Sequence, residues 1–145
     1  MNDKNQENTG LKFIAKSVSE EKWVNLMPGF SVKALVVDKA RHTVQFLMKA
    51  DADWNPGIHR HMCETSLLVI DGGINNRWTR RTYQPLDFFY QEAGNTHVEN
   101  MSEKGLLAYV SMVGTSNTLV EFLDKEQNIL GTLGVSDFSD LLSGD

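Results

Sequence analysis

His59 and His61 stand one residue apart. In a β-strand, residues at i and i+2 point to the same side, so two imidazoles about 7 Å apart along the chain can converge on one metal ion. Pro56-Gly57 just before them reads as a turn that sets the pair at a strand entrance. A third histidine, His97, follows the turn Ala93-Gly94-Asn95-Thr96 and the aromatic segment Asp87-Phe88-Phe89-Tyr90. In an antiparallel barrel a later strand can return beside the first and bring His97 opposite the pair. Three imidazoles from two strands would cap one side of a metal ion, leaving positions for water, substrate or O2. His42 falls in a polar segment between two strands and reads as a surface turn.

The neighbours of these histidines admit both chemical and plain readings. Cys63, two residues beyond His61, points inward on strict alternation; it is a thiolate ligand, a nucleophile, or a small buried side chain, and the last is preferred. Arg77, Arg80 and Arg81 surround Trp78 on an expected strand. Arg77 either reaches into the barrel to steer an anionic substrate or belongs with the others to a solvated face. Phe88 and Tyr90 share one face and Phe89 takes the other, so one face packs the core and Tyr90 is a candidate pocket wall. No Ser-His-Asp spacing is present, and covalent catalysis is not indicated.

The elements that must carry these residues are mostly strands. Short runs rich in β-branched and aromatic residues predict strands over Phe30 to Val37, Thr43 to Met48, Ser66 to Ile70, Arg77 to Thr82, Asp87 to Tyr90, Leu106 to Val113 and Thr118 to Leu123. Turn chemistry separates them at Met27-Pro28-Gly29, Asn55-Pro56-Gly57, Asp71-Gly72-Gly73, Ala93-Gly94-Asn95 and Ser102 to Gly105. A hairpin is expected around Asp124 to Asn128, a short helix around Ser19 to Asn25, and a terminal helical turn between Gly134 and Asp145. Close strand spacing with no long helix between indicates an all-β antiparallel sandwich or barrel.

A chain of 145 residues with 41% hydrophobic and 23% charged residues fits one soluble globular domain. The expected division is a disordered segment over 1–10 and a single domain over 11–145. The formal charge of −5 argues against a nucleic-acid backbone binder, and the apolar runs are too short to cross a bilayer. A single cysteine excludes an intramolecular disulfide framework and, with no visible signal segment, suggests a cytoplasmic protein. Open sheet edges and exposed aromatics point to a homodimer or higher homo-oligomer.

The run Gly57-Ile58-His59-Arg60-His61-Met62-Cys63-Glu64-Thr65, ending at Gly72, resembles the first motif of the cupins. Glu92-Ala93-Gly94-Asn95-Thr96-His97-Val98-Glu99-Asn100 resembles the second. Asp87 to Tyr90 and the late hairpin are similar to the group that contains acetylacetone-cleaving and 2,4′-dihydroxyacetophenone dioxygenases and the ChrR-like domains. The resemblance implies a single-domain cupin, an antiparallel jelly-roll β-barrel with a short N-terminal extension. It implies His59, His61 and His97 as ligands of one divalent metal ion, Fe(II) or alternatively Zn(II). The usual glutamate slot falls on Thr65; Glu64 is either a fourth ligand reached through a bulge or a group outside the cluster. A site with no carboxylate keeps the full +2 charge and suits an enolate or other bidentate oxygen anion.

Three functions follow as expectations. The first is a dioxygenase that uses O2 to cleave a C–C bond in a small β-dicarbonyl or hydroxyketone, with Thr65, Arg77 and Tyr90 as pocket or supporting groups. The second is a zinc-binding sensing or binding module of the ChrR-like type, without turnover. The third is a metal-free isomerase or sugar-binding cupin.

Overall fold

Alternation of apolar and polar residues organises most of the chain into strands, seen in a computed structural model whose described residues are 12–143. The strands are β1 (Val24–Met27), β2 (Phe30–Asp38), β3 (Thr43–Ala50), β4 (Ile58–His61), β5 (Cys63–Asn76) and β6 (Thr82–Tyr83). They continue with β7 (Phe88–Gln91), β8 (Thr96–His97), β9 (Glu99–Gly114), β10 (Thr118–Leu123) and β11 (Ile129–Gly134), before the closing helix α1 (Val135–Ser143). All pairings are antiparallel. One sheet runs β1-β2-β3-β9-β5-β6, with β7 also on β5; the other runs β11-β10-β4-β8. No helix among the described residues is long and apolar enough to cross a membrane.

The two sheets enclose one core. Phe46, Val69, Val110 and Leu119 are fully buried, and Phe138 of α1 packs on Phe46 with ring centroids 4.7 Å apart. Each such side chain contributes about 1.5–3 kcal/mol on burial. The expected all-β antiparallel barrel is therefore what forms, and α1 fulfils the expected terminal turn of helix.

Several expected elements differ. The segment expected to be helical over Ser19 to Asn25 is a single 3-10 turn, Val18–Glu20, followed by β1. Pairing with β2 through Val24 and Asn25 outweighs local helix preference there. Arg77 to Arg81 is not a strand, and only Thr82 of the expected segment is one, opening β6. The Asn76 side-chain oxygen accepts from the backbone N–H groups of Trp78 and Thr79, both at 3.0 Å, and Arg80 N–H donates to the Asn76 carbonyl at 2.8 Å. Those bonds fold the segment into a tight turn, so Arg77, Arg80 and Arg81 are all exposed. Asp71-Gly72-Gly73 and Ser102 to Gly105, expected as turns, lie inside β5 and β9, where the β5–β9 register shifts twice. The segment expected to be disordered, 1–10, lies outside the described residues.

Gly72 shows why these interior irregularities matter. Its φ of +74° favours glycine, and a β-carbon there would run into the Gly105 carbonyl of β9. Gly72→Ala is expected to cost roughly 2–3 kcal/mol, lowering the melting temperature by about 6–10 °C. Gly131→Ala, where a β-carbon meets open space, is expected to change stability by less than about 0.5 kcal/mol in the same thermal melt.

Candidate metal centre

β4 alternates with His59 and His61 inward and Ile58 and Arg60 less buried. Gly57 precedes it at φ +82°, and its N–H donates to the Asn55 side chain at 2.7 Å, which fixes the turn entering the strand. On one side β4 pairs with β10, aligning His61 with Val120 and His59 with Phe122. Arg60 holds that pairing from outside, its guanidinium 3.2 Å from Glu121 and 3.1 Å from Gln127. On the other side β4 pairs with β8, placing His59 directly opposite His97. The ladder continues past β8: His61 N–H donates to the Asn95 carbonyl at 2.9 Å, and Gly94 N–H to the His61 carbonyl at 2.7 Å. The Asn95 side chain ties the turn between β7 and β8, donating to the Glu92 carbonyl at 3.0 Å.

The three imidazoles therefore meet. One nitrogen from each of His59, His61 and His97 lies within 4.8 Å of the others, and all three side chains are buried. The Gly57 carbonyl, 3.0 Å from His59 Nδ1, can only accept, so that nitrogen carries the proton and Nε2 is the bare donor. Thr65 Oγ1 holds His61 Nδ1 at 2.9 Å, which turns its Nε2 toward the cluster. Burial lowers the pKa of His59, and it lowers that of His61 well below the usual range with help from the two neighbouring imidazoles. Burial, then His59, brings His97 down to about 4. Neutral imidazoles are the form that binds metal.

The donor set fits a divalent ion. His59 Nε2 and His97 Nε2 are only 2.9 Å apart. His59 Nε2 is bare, so His97 Nε2 either donates a proton to it or, when both are bare, shares a cation with it. The three-histidine cluster thus suggests a divalent metal site.

Glu99 was missed by sequence reasoning. The resemblance implied a centre without a carboxylate, yet Glu99 Oε1 lies 3.7 Å from His59 Nε2 and 3.6 Å from His97 Nε2. Its carboxyl is buried, and burial pushes its pKa up to about 7. The signal was available: Glu99 stands two residues after His97, and the alternation rule that joined His59 to His61 joins these two. Gln91 was missed as well. It pairs with Thr65 across β7 and β5, and its Nε2 is buried without a hydrogen-bond partner.

Two cavities meet at the centre. An inner one of about 80 Å³ is largely apolar and reaches His59, His61, Thr65 and Glu99. An outer one of about 490 Å³ reaches His97 and Glu99 past Tyr83, Tyr90 and Asn95. Phe89, Gln91 and Glu99 line both.

The other expected residues are placed as follows. Thr65 is buried against His61. Tyr90 is half-exposed at the rim of the outer cavity; partial desolvation and the hydrogen-bonded Glu64 carboxylate raise its pKa. Glu64 is exposed on the opposite face of β5 from Cys63 and Thr65, beside Tyr90, and does not enter the cluster; β5 has no bulge there to turn it inward. Arg77 lines neither cavity, because the turn after Asn76 carries it outward. Cys63 is a buried free thiol 3.5 Å from the Leu119 carbonyl, and burial raises its pKa.

None of the curated proteins compared matches the chain by sequence. An RmlC-like cupin from Ralstonia eutropha superposes with a TM-score of 0.81 at 16% identity, covering 92% of this chain and 87% of that one. An acetylacetone dioxygenase from Acinetobacter johnsonii superposes at 0.66 and 12% identity, covering 89% and 95%. The anti-sigma protein ChrR, in complex with SigE of Rhodobacter sphaeroides, superposes at 0.54 and 12% identity, covering 67% and 50%. These likenesses show the fold. The model of the ChrR cupin-like domain matches residues 12–115, from before β1 to the end of β9, and the chain belongs to that cupin family.

Proposed function

We propose that the protein is a mononuclear Fe(II) dioxygenase that cleaves a C–C bond in a small β-dicarbonyl or hydroxyketone. The observation that carries this reading is a buried three-histidine cluster reached from an outer cavity of about 490 Å³. Fold likeness to the acetylacetone dioxygenase of Acinetobacter johnsonii supports it. Fe(II) held by His59, His61 and His97 would supply a Lewis-acidic centre able to react with O2. In the reaction one C–C bond breaks, and both atoms of O2 end in the two carbonyl-containing fragments.

The chain's own residues define what such a substrate must be. No Lys or Arg lines either cavity, whereas Glu92 and Glu99 line the outer one. Arg77 therefore has no steering role in this reading, and a neutral ligand is favoured over a carboxylate. The unpartnered Gln91 Nε2 offers a hydrogen bond to one carbonyl oxygen of that ligand. Phe89 covers apolar carbons and excludes water, while Tyr90 and Asn95 border the entrance. Thr65 positions His61.

The family match and the ChrR superposition favour a second reading, a zinc-loaded module that binds without turnover. Self-association belongs to the first reading as well: Leu86, Phe88 and Tyr90 leave an exposed apolar row along the β7 segment, which a second copy would cover. A cytoplasmic location is also part of this reading, supported by the buried free thiol of Cys63.

Elemental analysis of the purified protein, followed by an oxygen electrode with a panel of neutral β-diketones and hydroxyketones, tests the proposal. Bound iron and stoichiometric O2 uptake are expected. Zinc at full occupancy, with no uptake by the iron-reconstituted protein across the panel, favours the binding module. Thr65→Val removes the hydroxyl beside His61 at near-constant volume. It is expected to weaken metal binding about 10–100-fold in a chelator competition, while Thr65→Ser stays close to the parent. Arg77→Ala is expected to leave kcat/KM within about twofold, since surface changes away from a site have small effects.

A further inference from the structure

Glu99 is a buried carboxyl group whose ionisable neighbours are the imidazoles of the cluster. Among the described residues no Lys or Arg pairs with it, and the ion-pair partners within 4 Å are His59 Nε2 and His97 Nε2. His59 Nε2 is the unprotonated nitrogen, because the Gly57 carbonyl takes the proton-bearing Nδ1. When ionised, this carboxylate has no cationic side chain beside it, and an unpaired buried charge is strongly disfavoured. A cation among these three atoms would satisfy all of them together.

The spacing agrees. Imidazole nitrogen and carboxylate oxygen bind first-row divalent ions at about 2.0–2.2 Å, so neighbouring donors in one sphere stand about 3.0–3.4 Å apart. The three distances here are 2.9 Å between the His59 and His97 nitrogens, 3.6 Å from Glu99 to His97 and 3.7 Å from Glu99 to His59. A movement of a few tenths of an ångström closes the set. The backbone supplies the aim, since Glu99 begins β9 two residues after His97 and both side chains are buried on the same side of the chain. Its register partner across β5 is Asn76 at the outer cavity, so the carboxylate arrives from the entrance side.

We infer that Glu99 is a fourth protein ligand of the divalent metal ion, completing the centre from the strand that follows His97. The inference rests on the metal-centre reading and refines it. A carboxylate ligand lowers the charge of the site from +2 to +1. It also takes one position on the outer-cavity side, leaving fewer there for substrate and O2.

The test compares wild type with Glu99→Gln, which keeps the shape and removes the charge. Co(II) serves as probe, with its visible spectrum and a chelator competition as readouts. A weakening of at least about tenfold and a changed Co(II) ligand-field spectrum are expected on the scale of lost metal-site groups. The metal-free variant should melt no lower than metal-free wild type, which separates a ligand role from a packing role. Infrared difference spectra of wild type, Co(II)-loaded minus metal-free, should show carboxylate bands, a readout independent of any variant's folding. Unchanged affinity and spectrum in Glu99→Gln, or no carboxylate bands on loading, would overturn the inference while leaving the three-histidine centre intact. Failure of wild type itself to bind Co(II), Fe(II) or Zn(II) would instead remove the metal-centre reading.

Discussion

Pairing of His59 with His97 across β4 and β8 is the constraint on which the rest of the centre depends. Directly opposite residues in an antiparallel pair hold their β-carbons about 4.5–5.5 Å apart, and the two rings accordingly lie 4.5 Å apart by centroid. A one-residue slip would send His59 and His61 outward together and bring Arg60 into an apolar interior. Four residues of β4 against two of β8 is a short ladder, so its register needs support from elsewhere. The Gly94 and Asn95 bonds to His61 extend the ladder at one end, and the β10 pairing locks the opposite edge. Arg60, between the two histidines, contributes from the outer face through Glu121 and Gln127.

The remainder of the barrel makes that placement consequential. Met48, Leu67, Val110 and Met112 surround the inner cavity with apolar atoms, so water is poorly placed to solvate the imidazoles. Desolvation keeps His59, His61 and His97 neutral, and the same desolvation holds Glu99 toward its protonated form. The four groups share one physical cause, yet it acts in opposite senses on their charges. It removes positive charge from the bases and negative charge from the acid. An apolar enclosure of this kind leaves a set of donor atoms whose common complement is a cation.

The strand pattern was legible wherever side chains alternate over a half-buried face, as in β2, β3, β10 and most of β7. It failed where tertiary pairing overrides local signals. β5 and β9 run straight through Asp71-Gly72-Gly73 and Ser102 to Gly105, because bulges use the same glycine and polar residues as turns. Only the partner strand distinguishes the two. Conversely, Trp78 and Thr79 carry strand preference, but the side chain of Asn76 captures their N–H groups before a partner can. In the centre, the histidine trio followed from i, i+2 spacing and one returning strand. Glu99 obeyed the same spacing and stood inside the second motif. Gln91 required the β5–β7 register, which fixes it opposite Thr65 and is not readable from either strand alone.

This geometry also changes what the acidic balance of the chain means for a ligand. In a chain of net charge −5, a divalent ion at the cluster, +2 on the histidines alone or +1 with Glu99 bound, would draw in small anions once they passed the surface. With Glu92 and Glu99 on the outer cavity and the arginines of the Arg77 turn facing solvent, the approach itself is acidic. A ligand that enters uncharged avoids that field and needs no cationic guide. If it then gives up a proton at the centre, the negative charge develops where the metal ion can stabilise it. A neutral carbon acid with two chelating oxygens meets both conditions, whereas a preformed carboxylate meets only the second. In the proposed dioxygenase, the side-chain arrangement would therefore select on the change in charge during binding, which is a narrower criterion than affinity for anions.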